Sequence, residues 1–305
     1  MEQFNTYTVS EDEDGERLDK LLTFVVQGRS RSFLQKLFKE QRVLVLGKPV
    51  KASYRVNSGD VICFSIPEKI LPDILPEDIP LDILYEDEDV LVVNKPKNMV
   101  VHPAPGHYSG TLVNAVMYHC GTSLSGINGV LRPGIVHRID KDTTGSVIIC
   151  KNDIAHQSIA AQLKEHSIVR RYRAIAYGRI PEDDLTIDAP IGRDPKDRKK
   201  MAVTPDGKSA VTHVHVLARY RDYTYVECRL ETGRTHQIRV HMAYIHHPLL
   251  GDETYAAGRT SPYHLEGQCL HAMILGFRHP VTGQYIETVA PLPSYFERLL
   301  EIMPL

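Results

Sequence analysis

An arginine and an aspartate two residues apart, Arg138 and Asp140, are the side chains of this 305-residue chain best placed to do chemistry. An apolar run ends just before them, a Thr-Thr-Gly turn follows them, and a second apolar run covers residues 147–150. The pattern predicts a strand, a loop and a strand, with base and acid held at the loop between rigid elements. Because residues i and i+2 of an extended segment share a face, both side chains can point at one substrate. An exposed turn with a weak, solvated ion pair has the same local pattern.

Charge is distributed unevenly along the chain, although the net charge is only −2. Residues 15–69 contain eleven Lys or Arg and five Asp or Glu, whereas residues 70–90 contain eight acids and no base. Residues 1–14 add five further acids. A compact basic module between acidic segments indicates a polyanion partner, and nucleic acid is the leading class.

The basic module has the pattern of a small α/β domain. Apolar residues at helical spacing predict helices near residues 18–25 and 33–38, and short strands are expected at 43–46, 48–50 and 61–66. Proline and acid dominate the segment that follows, which is typical of a stiff, extended linker. The expected organisation is an acidic tail at 1–14, the basic domain at 15–75, a linker at 76–80 and a large domain at 81–305.

Strands outnumber helices in the large domain, and hairpin-like connections are frequent. This favours an α+β fold with a mixed, largely antiparallel sheet over a doubly wound parallel sheet. The five cysteines are odd in number and widely spaced, which argues against a disulfide framework and against a Cys-x-x-Cys zinc site. No apolar run approaches membrane-spanning length and the N-terminus lacks an apolar signal core, so a cytoplasmic location is expected.

Three segments carry a resemblance to a known family. They are His-Arg-Ile-Asp-Lys-Asp-Thr-Thr-Gly at 137–145, Asn-Lys-Pro-Lys-Asn-Met-Val-Val-His-Pro at 94–103 and Glu-Thr-Gly-Arg-Thr-His-Gln-Ile-Arg-Val-His-Met at 231–242. Together they resemble the RNA pseudouridine synthases, in the branch that modifies ribosomal and transfer RNA. The resemblance covers nearly the whole chain and implies the pseudouridine synthase fold. Residues 15–22 and 30–61 resemble an S4-type RNA-binding domain.

The resemblance implies a role for each of four residues of the large domain. Asp140 matches the catalytic aspartate, Arg239 the arginine that pairs with it, and Tyr172 the active-site tyrosine that can stack on the uracil. Arg138 resembles the arginine that fills the space left by a flipped base. In the S4-like domain, the residues expected to bind RNA are Arg17, Lys20, Arg29, Arg31, Lys36 and Arg42.

The implied function is isomerisation of uridine to pseudouridine in large-subunit ribosomal RNA, either free or in a precursor particle. The reaction transfers no electrons and adds no group, so no cofactor or metal is expected, and no membrane or obligate protein partner is evident. A transfer RNA or another RNA is the alternative substrate. Two further functional classes fit the same residues: a catalytically idle RNA-binding assembly factor, and a hydrolase that uses Asp140 with Asp142.

Several further residues have two interpretations. Asp142 is expected to serve the turn, because it lies outside the family's essential position. Asn98 replaces a usual glycine, and we expect it to keep the turn because Asn tolerates positive φ. The basic loop at 192–201 is expected to clamp RNA. The histidines at 236, 241, 246 and 247 lack metal-ligand spacing and are not expected to bind metal.

Overall fold

The computed structural model of the chain describes residues 4–26, 31–66, 74–103, 107–121, 123–129 and 132–305. The chain divides into two compact units, Met1–Leu71 and Pro72–Leu305, and each unit has its own hydrophobic core.

The first unit packs two helices on a four-stranded antiparallel sheet. Its elements are β1 (Phe4–Thr8), α1 (Leu18–Val25), α2 (Arg31–Lys39), β2 (Val43–Val45), β3 (Lys48–Pro49) and β4 (Val61–Ser65). The strand order is β1-β4-β2-β3. The buried side of both helices meets the sheet, with Leu18, Leu22, Leu34 and Leu37 all almost fully buried. The helices and the three strands predicted after residue 14 are therefore present.

One strand of this unit comes from the segment that we expected to be an acidic tail. β1 pairs with β4 along its whole length, from Phe4 opposite Ser65 to Thr8 opposite Val61. Its aromatic and β-branched residues favour extended pairing. The acids lie beyond the strand, where the Glu13 carboxylate accepts a hydrogen bond from the Tyr7 hydroxyl at 2.6 Å.

The acidic, proline-rich segment before residue 81 is also held by neighbours in the second unit. The Asn114 side-chain amide donates to the Leu75 carbonyl at 2.8 Å, and the Glu77 N–H donates to the Asn114 carbonyl at 3.0 Å. The Glu77 carboxylate in turn accepts the Gly110 N–H. These bonds join residues 75–77 to the start of the next helix.

The second unit contains eleven strands and four helices in the described part of the chain. They are β5 (Ile83–Glu86), β6 (Val90–Lys95), α3 (Leu112–Cys120), β7 (Thr144–Cys150), α4 (Asp153–Lys164), β8 (Val169–Tyr177), β9 (Asp184–Asp188), β10 (Ile191–Arg193), β11 (Met201–Val203), β12 (Val211–Arg219), β13 (Tyr223–Leu230), α5 (Gln237–Tyr244), β14 (Leu270–Arg278), β15 (Tyr285–Val289) and α6 (Ser294–Ile302).

Nine of these strands form one sheet, and β10 and β11 form a separate hairpin. The order in the large sheet is β5-β6-β7-β14-β8-β13-β12-β9, with β15 beside β14. Only β7 and β14 run parallel, where Thr144 and Gly145 face His271 and Ala272. The class is therefore the α+β fold with a largely antiparallel mixed sheet that the sequence predicted.

Helices cover both faces of the large sheet, which explains the continuous apolar runs in β6 and β7. Leu91 and Val93 of β6 contribute to a core with α3 and α5 residues, whereas Val90 and Val92 pack with α4 residues on the opposite face. Successive side chains of a strand point to opposite faces, so both sets are buried.

The strand predicted before the Arg138–Asp140 loop is absent, and that part of the prediction was wrong. Residues 132–143 form turns and irregular backbone, with a single bridge between Ile135 and Ile149. Gly134 has φ +70°, and a β-carbon there would lie 2.7 Å from the Cys150 carbonyl oxygen. The His137 ring accepts the Ile148 N–H at 3.0 Å, so a side chain takes the place of a strand carbonyl. Only the second predicted strand, β7, is regular.

Candidate active site

A cavity of about 560 Å³ brings together four residues that the sequence singled out. Arg138 and Asp140 come from the loop before β7, Tyr172 from β8 and Arg239 from α5. They are spread over about a third of the sequence, and the sheet and α5 place all four side chains at the wall of the same cavity. Asp140 is the single carboxylate among the described residues that line this cavity.

Asp140 and Arg239 form a direct ion pair. Arg239 Nη1 donates to Asp140 Oδ2 at 2.9 Å, and the Asp140 side chain is 19% exposed. Burial lowers the pKa of Arg239, but Asp252 and Asp140 overcome this effect and raise it above its ordinary value. The guanidinium is therefore always charged, and it places a fixed positive charge beside the carboxylate.

Asp252 holds Arg239 from the other side, and the sequence interpretation missed it. Its two oxygens accept from Nε at 2.7 Å and Nη2 at 2.9 Å, and its side chain is fully buried. The same carboxylate accepts the backbone N–H groups of Thr254 and Tyr255. The only signal in the sequence is an acid directly after an apolar Pro-Leu-Leu-Gly run, which does not point to a partner.

His236 and Tyr255 add a second, unpredicted contact near Asp140. The Tyr255 hydroxyl accepts the Met201 N–H at 3.0 Å and lies 2.8 Å from His236 Nδ1. The direction of this second bond depends on the tautomer of the His236 ring. Burial lowers the pKa of His236, although Asp140 opposes the shift.

No described residue forms a hydrogen bond with the remaining oxygen of Asp140, Oδ1. His236 Nε2 lies 3.7 Å from Oδ1, which is too long for a hydrogen bond. Oδ2 is occupied by Arg239, so Oδ1 is the oxygen with free lone pairs toward the cavity. His236 has φ +56°, an uncommon conformation that accumulates at functional sites.

The backbone that carries Asp140 is fixed by a buried lysine. Lys95 Nζ donates to the carbonyls of Pro96, Met99 and Lys141 at 2.8, 2.8 and 2.9 Å. Burial lowers the pKa of Lys95 to about 7, and Asp142 and Asp140 oppose that shift. The lysine joins the end of β6 to the residue next to Asp140. In the turn that follows β6, Asn98 has φ +64°, the positive φ that was predicted to keep this turn.

Tyr172 and Arg170 lie on the cavity face of β8, while Arg171 and Arg173 lie on its other face with Glu227. Burial raises the pKa of Tyr172, with Asp140 adding to the shift and Arg170 opposing it, so the phenol is neutral. Four further cations line the cavity: Arg138, Lys164, Arg170 and Arg234. The walls therefore suit an anionic ligand.

The other residues that the sequence singled out lie elsewhere. Asp142 is not among the cavity-lining residues and packs against Gly267. The basic loop at 192–201 is part of the β10–β11 hairpin, in which Arg193 faces Met201.

The cations of the first unit mostly have acidic neighbours. Arg17 and Arg31 approach Asp19, Lys20 pairs with Glu16, and Lys36 and Arg42 approach Glu40. Arg29 lies outside the described residues.

One cluster in the described part of the chain has the spacing of metal ligands: Asp87, Asp89 and His279. His279 Nδ1 accepts the N–H groups of Val281 and Thr282, so the ring hydrogen is on Nε2. Nε2 donates it to Asp87 at 2.8 Å. The cluster is therefore satisfied as a hydrogen-bond network, since a metal would need the Nε2 lone pair.

Comparison with known families identifies both units. Residues 89–244 match the RNA pseudouridylate synthase family, and residues 16–62 match the S4 domain. A Bacillus subtilis (strain 168) protein named "Uncharacterized RNA pseudouridine synthase YlyB" is 56% identical over 294 residues, which cover 96% of each chain. The chain belongs to the RNA pseudouridine synthase family. It is an isomerase of RNA uridines with an S4 RNA-binding domain, which confirms the resemblance and the enzyme class stated above.

A second relative agrees with this assignment, and a solved structure shares the fold. The Zymomonas mobilis protein named "Ribosomal large subunit pseudouridine synthase D" is 45% identical over 306 residues, covering 97% of this chain and 96% of the relative. The solved structure of Human RNA Pseudouridylate Synthase Domain Containing 1 has a TM-score of 0.57 at 24% identity, covers 75% of this chain and 97% of its own, and shows the same fold. Among the described residues, none of the helices has the length and apolarity needed to span a membrane.

Proposed function

We propose that this pseudouridine synthase isomerises uridines of large-subunit ribosomal RNA, with Asp140 as the essential carboxylate and with the target base flipped out of the RNA. The observation that carries the proposal is the Asp140–Arg239 pair in a cavity lined by cations. The substrate class is supported by the printed name of the Zymomonas relative and by the S4 domain.

The geometry supports a division of work among four side chains. Breaking the bond between ribose C1′ and uracil N1 builds positive charge on the sugar, which a nearby carboxylate can stabilise or attack. Oδ1 of Asp140 is free for this role, while Arg239 holds Oδ2. Tyr172 is positioned to stack on the extruded base, and exposed Arg138 to fill the space that the base leaves.

The uracil then turns over and forms the bond from C1′ to C5. The proton that leaves C5 balances the one gained at N1, so the isomerisation needs no redox partner and no transferred group. The neutral Tyr172 phenol lies in the same cavity as Asp140, within reach of a base that stacks there. The proposed chemistry therefore uses only side chains of the protein.

A hydrolase is less well supported than an isomerase. Glycoside hydrolases use two carboxylates across the scissile bond, one of which activates or replaces water. Asp142, the rival carboxylate, is not among the residues that line the cavity. Free uracil released from RNA would instead favour hydrolysis.

The decisive experiment compares Asp140→Asn with the wild-type enzyme on ribosomal RNA. The variant is expected to bind RNA within about threefold of wild type, because the amide keeps the shape of the carboxylate. It is expected to form no pseudouridine, as measured by chemical labelling and primer extension. Full conversion by the variant would refute Asp140 as the essential group. A catalytically idle assembly factor would show no conversion even with the wild-type chain.

The substrate class needs a separate measurement. Pseudouridines are mapped in total RNA from cells with and without this gene product. Loss of large-subunit sites is the expected result, whereas loss of transfer RNA sites alone would favour the alternative substrate. The cytoplasmic location remains a prediction that follows from this substrate.

A further inference from the structure

Arg170 is a buried cation without a carboxylate partner. It is 7% exposed, and no Asp or Glu in the described part of the chain forms an ion pair with it. Within the described ranges, Nη2 of Arg170 donates to the Glu231 carbonyl at 3.1 Å and the buried Nε has no acceptor. Burial lowers the pKa of Arg170, and no carboxylate among the described residues pairs with it to offset the cost of removing this charge from water.

The absence of a side chain at Gly233 leaves space for the Arg170 guanidinium. A β-carbon on Gly233 would lie 2.6 Å from Arg170 Nη1, so a larger residue at 233 would displace the guanidinium. Arg170 and Tyr172 share one face of β8, and both line the cavity that contains Asp140. An unpaired guanidinium at the wall of a cavity is a site for an anion that arrives with the ligand.

We propose that Arg170 forms a phosphate-binding site beside Asp140, which takes a phosphodiester of the RNA strand that carries the target uridine. The inference rests on the proposed function for the identity of the ligand, because RNA supplies the phosphate. Among the described residues, no acceptor binds Nε or Nη1 of Arg170, and Nη1, a terminal nitrogen, can donate charge-assisted hydrogen bonds to a phosphate oxygen. Lys164, which lines the same cavity, adds positive charge to this wall.

The site gives the enzyme a second point of attachment within the reacting nucleotide's own strand. Base flipping rotates a nucleotide about its backbone, so a fixed phosphate next to the sugar limits the positions that C1′ can take. Phosphate contacts fix register without reading sequence. Arg170 would therefore act on every uridine that the enzyme modifies.

The test is a double-mutant cycle between Arg170 and single phosphates of the RNA. Short RNAs that contain the target uridine carry a neutral methylphosphonate at one position at a time, and binding is measured in the Asp140→Asn background. We expect one position to cost the parent protein about tenfold to a hundredfold in affinity. With unmodified RNA, Arg170→Met should bind more weakly than the parent protein by about the same factor. A methylphosphonate at that position should weaken its binding no further. The proposal is overturned if Arg170→Met keeps the full methylphosphonate penalty at every position.

Matched variants separate this site from a purely structural role. Arg171→Met removes a neighbouring cation on the opposite face of β8, and it should leave the methylphosphonate penalty intact. Gly233→Ala keeps Arg170 but pushes against its Nη1, and it should reduce the penalty even if Arg170→Met does not fold. An unchanged penalty in Gly233→Ala, with a lower melting temperature, would show that Arg170 only supports the turn at Glu231. The binding cycle does not require turnover, so its outcome is independent of whether Asp140 proves essential.

Discussion

Asp252 binds Arg239 through both carboxylate oxygens, whereas Asp140 accepts a single bond from the same guanidinium. The arginine is thus fixed by a fully buried acid and presents its remaining nitrogen to the partly exposed one. The position of the Asp140 side chain depends on a residue that never reaches the cavity.

Asp252→Asn is expected to cost more stability than Asp140→Asn. Removing one partner of a buried ion pair typically destabilises a protein by about 3–5 kcal/mol. Asp140→Asn leaves Arg239 bound to Asp252, so its free energy of unfolding should change by less than about 1 kcal/mol. Urea denaturation of both variants measures the difference, and equal losses would contradict the arrangement.

The same pair of variants should differ in catalysis. Asp252→Asn keeps the reacting carboxylate but loosens the arginine that orients it, so kcat should fall by about tenfold to a hundredfold with pseudouridine still formed. Asp140→Asn should form none. The contrast is measured under single-turnover conditions, so that product release does not hide the chemical step.

The sequence predicted the residues that line the cavity more successfully than the contacts that support them. Arg138, Asp140, Tyr172 and Arg239 were assigned from motifs, and the fold gathers all four around one cavity. Periodicity also predicted both S4 helices and most strands, because apolar spacing reports directly which face of an element is buried.

The supporting contacts could not be predicted in the same way. Asp252 and His236 bind partners 13 and 19 residues away in the sequence, and neither contact leaves a pattern in the spacing of residue types. The strand expected before Arg138 does not form. The His137 ring, in place of a backbone carbonyl, accepts the Ile148 N–H, and the pattern of apolar residues does not reveal such a contact. β1 was missed because its five residues are too short and too polar to stand out.

Tyr255→Phe should slow the chemical step, although the aromatic ring at this position is kept. The change removes the hydroxyl that accepts the Met201 N–H and hydrogen-bonds to His236 Nδ1, but it keeps the ring whose centre lies 5.1 Å from Arg239. We expect kcat to fall about tenfold and stability to fall by about 1 kcal/mol, the usual worth of a buried hydrogen bond.

The pH profile distinguishes a defined role of this contact from a general loss of packing. With Nδ1 no longer bound, His236 can change tautomer or protonate, so the acid limb of the kcat profile should move in Tyr255→Phe. Tyr244→Phe on the exposed side of α5 is the control and should leave the profile unchanged. An equal drop in rate at every pH would indicate a general loss of packing and argue against a role for the bond to Nδ1.

His137 predicts a loss of stability in acid. Burial, reinforced by Arg170, lowers the pKa of His137 from 6.5 to about 4, and its ring must be neutral to accept the Ile148 N–H. The unfolded state binds more protons than the folded state between these values, so stability rises with pH across this window and is lost as the pH falls from 6.5 toward about 4. The full shift corresponds to about 3 kcal/mol.

His137→Gln offers an amide oxygen to the same N–H and does not titrate. The stability advantage of wild type over this variant should therefore shrink as the pH is lowered through the window, as followed by denaturant unfolding at each pH. His264→Gln, at an exposed position, controls for the general effect of acid on the protein. A constant difference between wild type and His137→Gln would mean that the imidazole titrates normally in the folded state.

Lysines of the first unit are expected to contribute to the salt dependence of RNA binding. Lys20 and Lys36 have side chains that are 63% and 70% exposed, and their pairs with Glu16 and Glu40 are weak enough to exchange for phosphates. The double variant Lys20→Gln, Lys36→Gln should reduce the slope of log K against log salt by about 2, with stability within about 0.5 kcal/mol of wild type. Arg221→Gln with Arg298→Gln removes two exposed charges from the second unit and is the control. If both double variants lower the slope equally, the effect comes from net charge, and the S4 lysines do not contact the RNA backbone.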